Sequence, residues 1–303
     1  MFSSPGDRFV AAQLLPPVAA CRAPEGDCGA ALQAYDGVER SAGADSTDLT
    51  AKETLELEFA SAPGGPKGLV VASRQTLMTT YLLYQALAYM GGSAVEWLAA
   101  LSRAGAPAIA RARSVGDALG SIEVLTSGEG GEWVLAGRVG ETGPIATDVK
   151  LVPLPDSGAG PVQVRLRMTQ GAWRLDWVAL ALRGPDVEPL PLEPVRVRRD
   201  GADDESARRA LLDSASVLAT LPGDAYTLSY RLPEEFDRYE LFLETRGYYL
   251  EWMRSEWLAE EDRGRAAEML LDPRAALRRL APAYKRQEAG MDSVFWRSRY
   301  ARP

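Results

Sequence analysis

Read for apolar and polar positions, the chain has an unpatterned start, a short helical stretch and a long run of strand-like segments. Residues 1–50 are rich in Gly, Pro, Ala and Asp and hold no sustained period, which predicts an irregular arm. Thr54–Ala60 alternates as a half-exposed strand does, and Gly68–Ala72 is a short apolar strand after the break at Pro63-Gly-Gly-Pro66. From Gln75 to Met90 the period turns helical, with Leu77, Tyr81, Tyr84, Leu87 and Ala88 on one stripe. Gly91-Gly92 ends it, and Ser93-Ala-Val-Glu96 reads as a capping box opening a second helix through Arg103.

Strand signals dominate beyond residue 117. Ser121–Thr126 and Glu132–Val139 read as a hairpin, followed by Asp148–Val152, Pro161–Met168 and Trp173–Leu182. In the last of these, alternation gives way to a nearly continuous apolar run, as expected where a strand enters a covered core. Pro185–Pro194 holds four prolines and predicts no central strand. Val195–Arg199 reads as an edge strand guarded by arginines, Asp204–Leu212 as a short helix, and Ala225–Tyr230 and Tyr239–Arg246 as two more strands. Glu251–Leu258 fits a strand or a helix. Residues 262–288 read as helical, with Asp272-Pro273 starting a second helix, and the aromatic tail Phe295–Tyr300 is expected to pack back on the body.

These elements give an α+β protein: an antiparallel β-sandwich over 117–254, a strand and helical hairpin over 54–116, and a helical extension over 255–303. Residues 1–53 form an irregular acidic arm around the outside. Around Trp173-Arg-Leu-Asp-Trp177, and again from Tyr226 to Trp252, the chain resembles jelly-roll, galactose-binding-like accessory modules of bacterial surface proteins. The shared features are a Gly-x-Trp-Arg-Leu-Asp strand and a Gly-Tyr-Tyr-x-x-Trp strand. The resemblance covers about a quarter of the chain and transfers no liganding motif, so it implies a sandwich that binds carbohydrate or protein and leaves activity open.

Composition removes more chemistry than it adds. The chain contains no histidine, which excludes Ser-His-Asp and Cys-His machinery, His-ligated zinc or haem, and an imidazole switch. The net charge of −8 argues against a nucleic-acid partner. Only Lys52, Lys67, Lys150 and Lys285 could serve a serine nucleophile, and none has a serine at motif spacing. Gly128-Glu-Gly-Gly131 lacks the lysine of a phosphate loop, and Gly137, Gly140 and Gly143 make no dinucleotide fingerprint. Asp45 and Asp48 resemble half of a calcium loop but read better as capping and turn residues. No catalytic, cofactor or metal site is therefore expected.

Two features point outward. Cys21 and Cys28 flank a short loop and read as a local disulfide in an oxidising compartment, or as two free thiols. The start is a poor secretory signal, although Val18-Ala-Ala-Cys21 has the look of a lipoprotein processing box. Gln75–Val95 is uncharged for 21 residues, yet its polar residues and Gly-Gly break favour a buried or interface hairpin over a membrane span, with membrane contact only peripheral.

Nine of the 24 aromatic residues fall between Tyr226 and Trp257, a density that marks a core or a contact surface. Tyr248, Tyr249, Trp252 and Trp257, with Tyr81 and Tyr84, are the candidate partner surface. The expectation is a non-enzymatic interaction or structural subunit docking on a larger extracytoplasmic bacterial assembly. A carbohydrate-binding module is the second reading. A glycosidase using Glu244 and Glu251 is the third.

Overall fold

A computed structural model describes the chain apart from residues 1, 5–7, 105–113, 129, 141, 157, 222, 235–238, 246, 248–254 and 299–303. Its strands are β1 (Phe2–Ser4), β2 (Arg8–Leu14), β3 (Ala20–Ala23), β4 (Gly26–Asp27), β5 (Lys52–Ala62), β6 (Lys67–Gln75), β7 (Ile122–Ser127), β8 (Trp133–Val139), β9 (Asp148–Pro153), β10 (Gly160–Thr169), β11 (Trp173–Val187), β12 (Arg196–Arg199), β13 (Ala202–Asp203) and β14 (Tyr226–Ser229). The helices are α1 (Met78–Met90), α2 (Ala94–Ala104), α3 (Ser114–Leu119), α4 (Glu205–Leu212), α5 (Ser255–Ala259), α6 (Arg263–Leu271) and α7 (Pro273–Ser298). The chain divides into two compact units, residues 1–187 with 249–291, and residues 188–248 with 292–303.

The first unit holds two sheets. One runs β1-β2-β11-β6-β9 and closes on itself through a single parallel pair, Ser3 with Lys150. The other runs β4-β3-β5-β10-β7-β8, antiparallel throughout. In the second sheet the period of two is kept. Leu55, Leu57 and Phe59 on β5, and Val164, Leu166 and Met168 on β10, enter the core, while Glu56 and Arg165 pair on the wet face. In the closed sheet both faces are covered. Leu69, Val71, Val178 and Leu180 join the same large cluster, whereas Val70, Ala179 and Ala181 turn the other way to meet Val10 and Leu151 in a small second cluster. Burial on both faces is why β6 and β11 read as continuous apolar runs.

The arm predicted to be irregular instead contributes to both sheets. β2 pairs with β11 and β3 pairs with β5, so the chain crosses from one sheet to the other near Pro16-Pro17. The segments are short and their partners distant, which hides them from a local pattern. The sheets are accordingly not confined to 117–254, because β2, β3, β5 and β6 all come from before residue 117. β11 also runs through Pro185, which lies in the register shift between Arg183 and Asp186, where no ladder bond is required of it.

Buried charge fastens residues 25–50. Arg40 donates from Nη2 to Glu25 and Glu53, and its backbone bridges Leu175. Arg74 grips Glu39 through Nε and Nη2 at 2.5 and 2.7 Å. Asp176, nearly out of solvent, accepts from the amides of Asp36 and Gly37. Gly171, in the β10–β11 turn at φ +78°, abuts Ala44 so closely that an added Cβ would meet its backbone at 2.5 Å.

Helices α1, α6 and α7 complete the large cluster with Met78, Leu82, Ala266, Met269, Leu277, Leu280 and Tyr284. The expected helix starts hold. Gly91 closes α1 by donating to the carbonyls of Leu87 and Ala88, and Pro273 opens α7.

The second unit is a three-stranded sheet, β13-β12-β14, with α4 beside it. The turn Asp200-Gly201 between β12 and β13 has φ of 51° and 85°, the hand that a tight hairpin requires. Asp204 caps α4 by accepting from the Ala207 amide. Tyr239–Arg246, predicted as a strand, is in neither strand nor helix over its described residues, 239–245. The aromatic tail was expected to be covered. Its described part is the last turn of α7, where Phe295 and Trp296 meet edge to face and Trp296 stays exposed.

Candidate functional site

The predicted partner residues separate. Tyr248, Tyr249 and Trp252 lie outside the described residues. Tyr81 and Tyr84 project from α1 one turn apart, as their spacing of three dictates. Tyr81 meets Tyr284 of α7 with ring centroids 5.2 Å apart, and Tyr84 meets Trp257 of α5 at 5.1 Å. Trp257 is buried, and burial pushes the Tyr81 phenol up, with Tyr89 adding to the shift. These three aromatics therefore spend much of their apolar area joining helices within the first unit.

Beside them runs a polar groove of about 410 Å³ lined by Gln85, Tyr89, Glu260, Glu261, Asp262 and Arg265 among others. Its acidic groups are already engaged. The Glu261 carboxylate accepts from the Gly92 amide at 3.0 Å, the Asp262 carboxylate accepts from the Arg265 amide at 3.0 Å while its own amide donates to the Tyr89 carbonyl, and Arg265 lies over the Tyr89 ring. The groove serves to lock the α5–α6 turn onto the end of α1.

Cys21 and Cys28 form a disulfide with Cα atoms 5.1 Å apart, and both half-cystines are buried in the large cluster. The loop that they close presents Glu25 to Arg40, so the bond supports the buried ion pairs as well as the hairpin. Asp45 and Asp48 do the turn work read from their spacing. Each accepts from the amide and hydroxyl two residues ahead, at Thr47 and Thr50. Among the described residues no three Cys, Asp or Glu side chains are grouped so that they could hold a metal ion. Nor is any helix there long and apolar enough to cross a membrane.

Two lysines are also engaged structurally. Lys67 is fully buried, with its ammonium donating to the carbonyls of Gly65 and Gly158. Lys52 donates to the Thr169 hydroxyl and to the Leu119 carbonyl at the end of α3, and burial pulls its pKa down.

The feature that the sequence reading missed is the apolar surface of the second unit. Among the described residues its only buried hydrophobic side chains are Val197 and Ala207. Among the described residues, 15 of the 25 exposed large apolar side chains belong to it, although it is the smaller unit. Leu241 and Leu243 are 68% and 74% exposed, and Val217 and Leu221 are 67% and 70% exposed. The signal was in the chain as the alternation of Tyr239–Thr245. It was assigned to the protein's own sheet because a local pattern names a strand without naming its partner.

Protein-family models, curated proteins and solved structures were all compared with the chain, and none matches it.

Proposed function

We propose that this protein is a non-enzymatic interaction or structural subunit of a larger extracytoplasmic bacterial assembly, in which residues 188–248 complete their packing against a partner. The observation that carries this reading is the second unit's exposed apolar surface, set beside only two buried hydrophobic side chains among its described residues. A segment of this size has little to offset its conformational entropy unless apolar area is buried elsewhere. Exposed apolar groups in such number are what docking surfaces use. The buried Cys21–Cys28 disulfide supports an oxidising compartment.

Two largely antiparallel sheets sharing one large cluster are also what a sandwich-type accessory module of the jelly-roll kind needs, and we keep that relation as part of the proposal. The carbohydrate reading draws less support, because Tyr81, Tyr84 and Trp257 pack against other rings of the chain. Glu244 lies in the exposed 239–245 segment.

A photo-crosslinking residue placed at Leu221 in the native host tests the proposal. The expected result is one defined protein captured in high yield, and its loss in Val217→Lys/Leu221→Lys with the circular dichroism unchanged. Glycan hydrolysis by the purified protein, abolished in Glu244→Gln, would overturn it.

A further inference from the structure

The sheet of the second unit, β13-β12-β14, has two edges of different kinds. On one side β13 is two residues long and carries Asp203, the short, charged form in which an edge is normally left. The arginines expected to guard an edge strand, Arg196, Arg198 and Arg199, lie instead on β12, which is central. The other edge is β14, Tyr226-Thr-Leu-Ser229. Together with the next residue, Tyr230, it holds no charge and no proline, and its pairing with β12 has no register shift.

The backbone of this edge points outward in a definite pattern. The Ser229 carbonyl accepts from the Val195 amide at 2.8 Å, so the backbone groups of Ser229, and those of Thr227 two residues back, turn toward β12. Those of Tyr226, Leu228 and Tyr230 then turn away, and among the described residues no strand pairs with β14 on that side. Thr227, Leu228 and Tyr230 are all exposed.

The stretch is also a chemical palindrome. From either end, Tyr226-Thr-Leu-Ser-Tyr230 reads as tyrosine, hydroxyl, leucine, hydroxyl, tyrosine. Alternation puts both tyrosines and Leu228 on one face of the sheet, and Thr227 and Ser229 on the other. The first face is the one that holds Val197, which pairs with Leu228 and is buried.

We infer that β14 pairs antiparallel with β14 of a second copy of this chain, with Leu228 on the two-fold axis, so that two three-stranded sheets join into one. The inference deepens the reading of residues 188–248 as an interaction module and rests on it. A two-fold contact sets each residue against its mirror position in the same segment, so a stretch that reads alike in both directions matches itself throughout. A strand from a different protein would make no use of that symmetry, and this selects a second copy as the occupant. Leu228 faces Leu228 of the other copy, Tyr226 faces its Tyr230, and Thr227 faces its Ser229. Aromatic pairs and hydroxyl pairs are among those that stabilise neighbouring strands. The same register sets the outward backbone groups of Tyr226, Leu228 and Tyr230 against their counterparts, so each finds a partner. A slip of one residue would put the apolar face of one copy beside the polar face of the other.

Sedimentation equilibrium of the full chain measures the association, expected as a monomer–dimer equilibrium. Leu228→Lys copies alone, and Leu228→Glu copies alone, should dimerise about tenfold more weakly or worse, because like charges then face each other across the axis. Mixed, the two should recover association as a heterodimer, a result that unfolding cannot mimic. Cysteines read the register. Thr227→Cys copies mixed with differently tagged Ser229→Cys copies should form a disulfide-linked heterodimer under mild oxidation, in preference to linking either kind with itself.

A monomer at every concentration overturns the inference, as does a dimer indifferent to both charges at Leu228. Thr227→Cys copies that link with one another as readily as with Ser229→Cys copies also overturn it. So does a photo-crosslinking residue at Tyr230 that captures a different protein and no second copy. A monomer that still captures a different protein at Leu221 overturns the pairing and leaves the interaction-subunit proposal standing. Loss of that capture with the dimer intact does the reverse.

Discussion

Arg40 and Glu53 pair at 2.5 Å with side chains only 6% and 2% exposed, one from the arm and one from the sheet that the arm crosses. Burial pulls the Arg40 pKa down, but hydrogen bonds and charge from Glu53, then Glu25, outweigh it and hold the guanidinium above its ordinary range. The pair spans a chain separation of 13 residues, and Arg40 also bridges to Leu175 of β11, so it ties both sheets to the arm.

Removing one partner should therefore cost far more than removing both. Arg40→Met leaves Glu53 charged and buried, an expected loss of about 3–5 kcal/mol. Arg40→Met/Glu53→Leu should recover a large part of that. Chemical denaturation of the two variants measures the difference, and equal destabilisation would contradict the buried pair.

The disulfide closes a short loop, for which the chain-entropy estimate is about 2.5 kcal/mol. Cys21→Ala/Cys28→Ala should be destabilised by roughly that amount. Because the loop carries Glu25 to Arg40, the effect should be less than additive with Glu25→Gln. Strict additivity in thermal melts would show the loop and the ion pair to be independent.

Acid should act at the Asp48 turn. Burial raises its carboxyl, but the Thr50 hydroxyl and amide and then Arg278 more than offset that, holding it below the usual carboxylate range. A folded pKa below the unfolded one gives stability that is present above the unfolded value. That stability is lost as pH falls through the folded value. The stability lead of the wild type over Asp48→Asn should hence be present at neutral pH and shrink below about pH 4. A lead that does not change with pH would refute the coupling.

Hydrogen exchange should separate the units. Amides of β5, β6, β10 and β11, paired inside the large cluster, are expected to exchange slowly, and those of β12, β14 and α4 far faster, because so little apolar area covers them. Addition of a partner should slow exchange over the second unit first. Uniform protection across both units would count against an incomplete second core.

What the sequence determined by itself is local. The period of two in Thr54–Ala60 and Pro161–Met168, the helix after Gln75, the Gly-Gly stop and the Asp272-Pro273 start all appear as read, although the buried face of that helix is Met78, Leu82, Ala88 and Tyr89. Each depends on neighbours within one turn or one pleat, whose geometry the residue order sets directly. The cysteine loop was legible for the same reason. What only the tertiary structure decided is partnership. The pairing of β2 with β11 joins residues about 170 apart, and the enclosure of Arg40 by Glu25 and Glu53 follows from a crossing between sheets. Tyr81, Tyr84 and Trp257 read as a surface because aromatic spacing is the same for a core and a contact, and only the arrival of α5 and α7 brings rings against Tyr81 and Tyr84. Tyr239–Thr245 shows the division most clearly. Its alternation specifies a strand, but backbone hydrogen bonds run sideways to another segment, and no pattern within seven residues says which segment that will be.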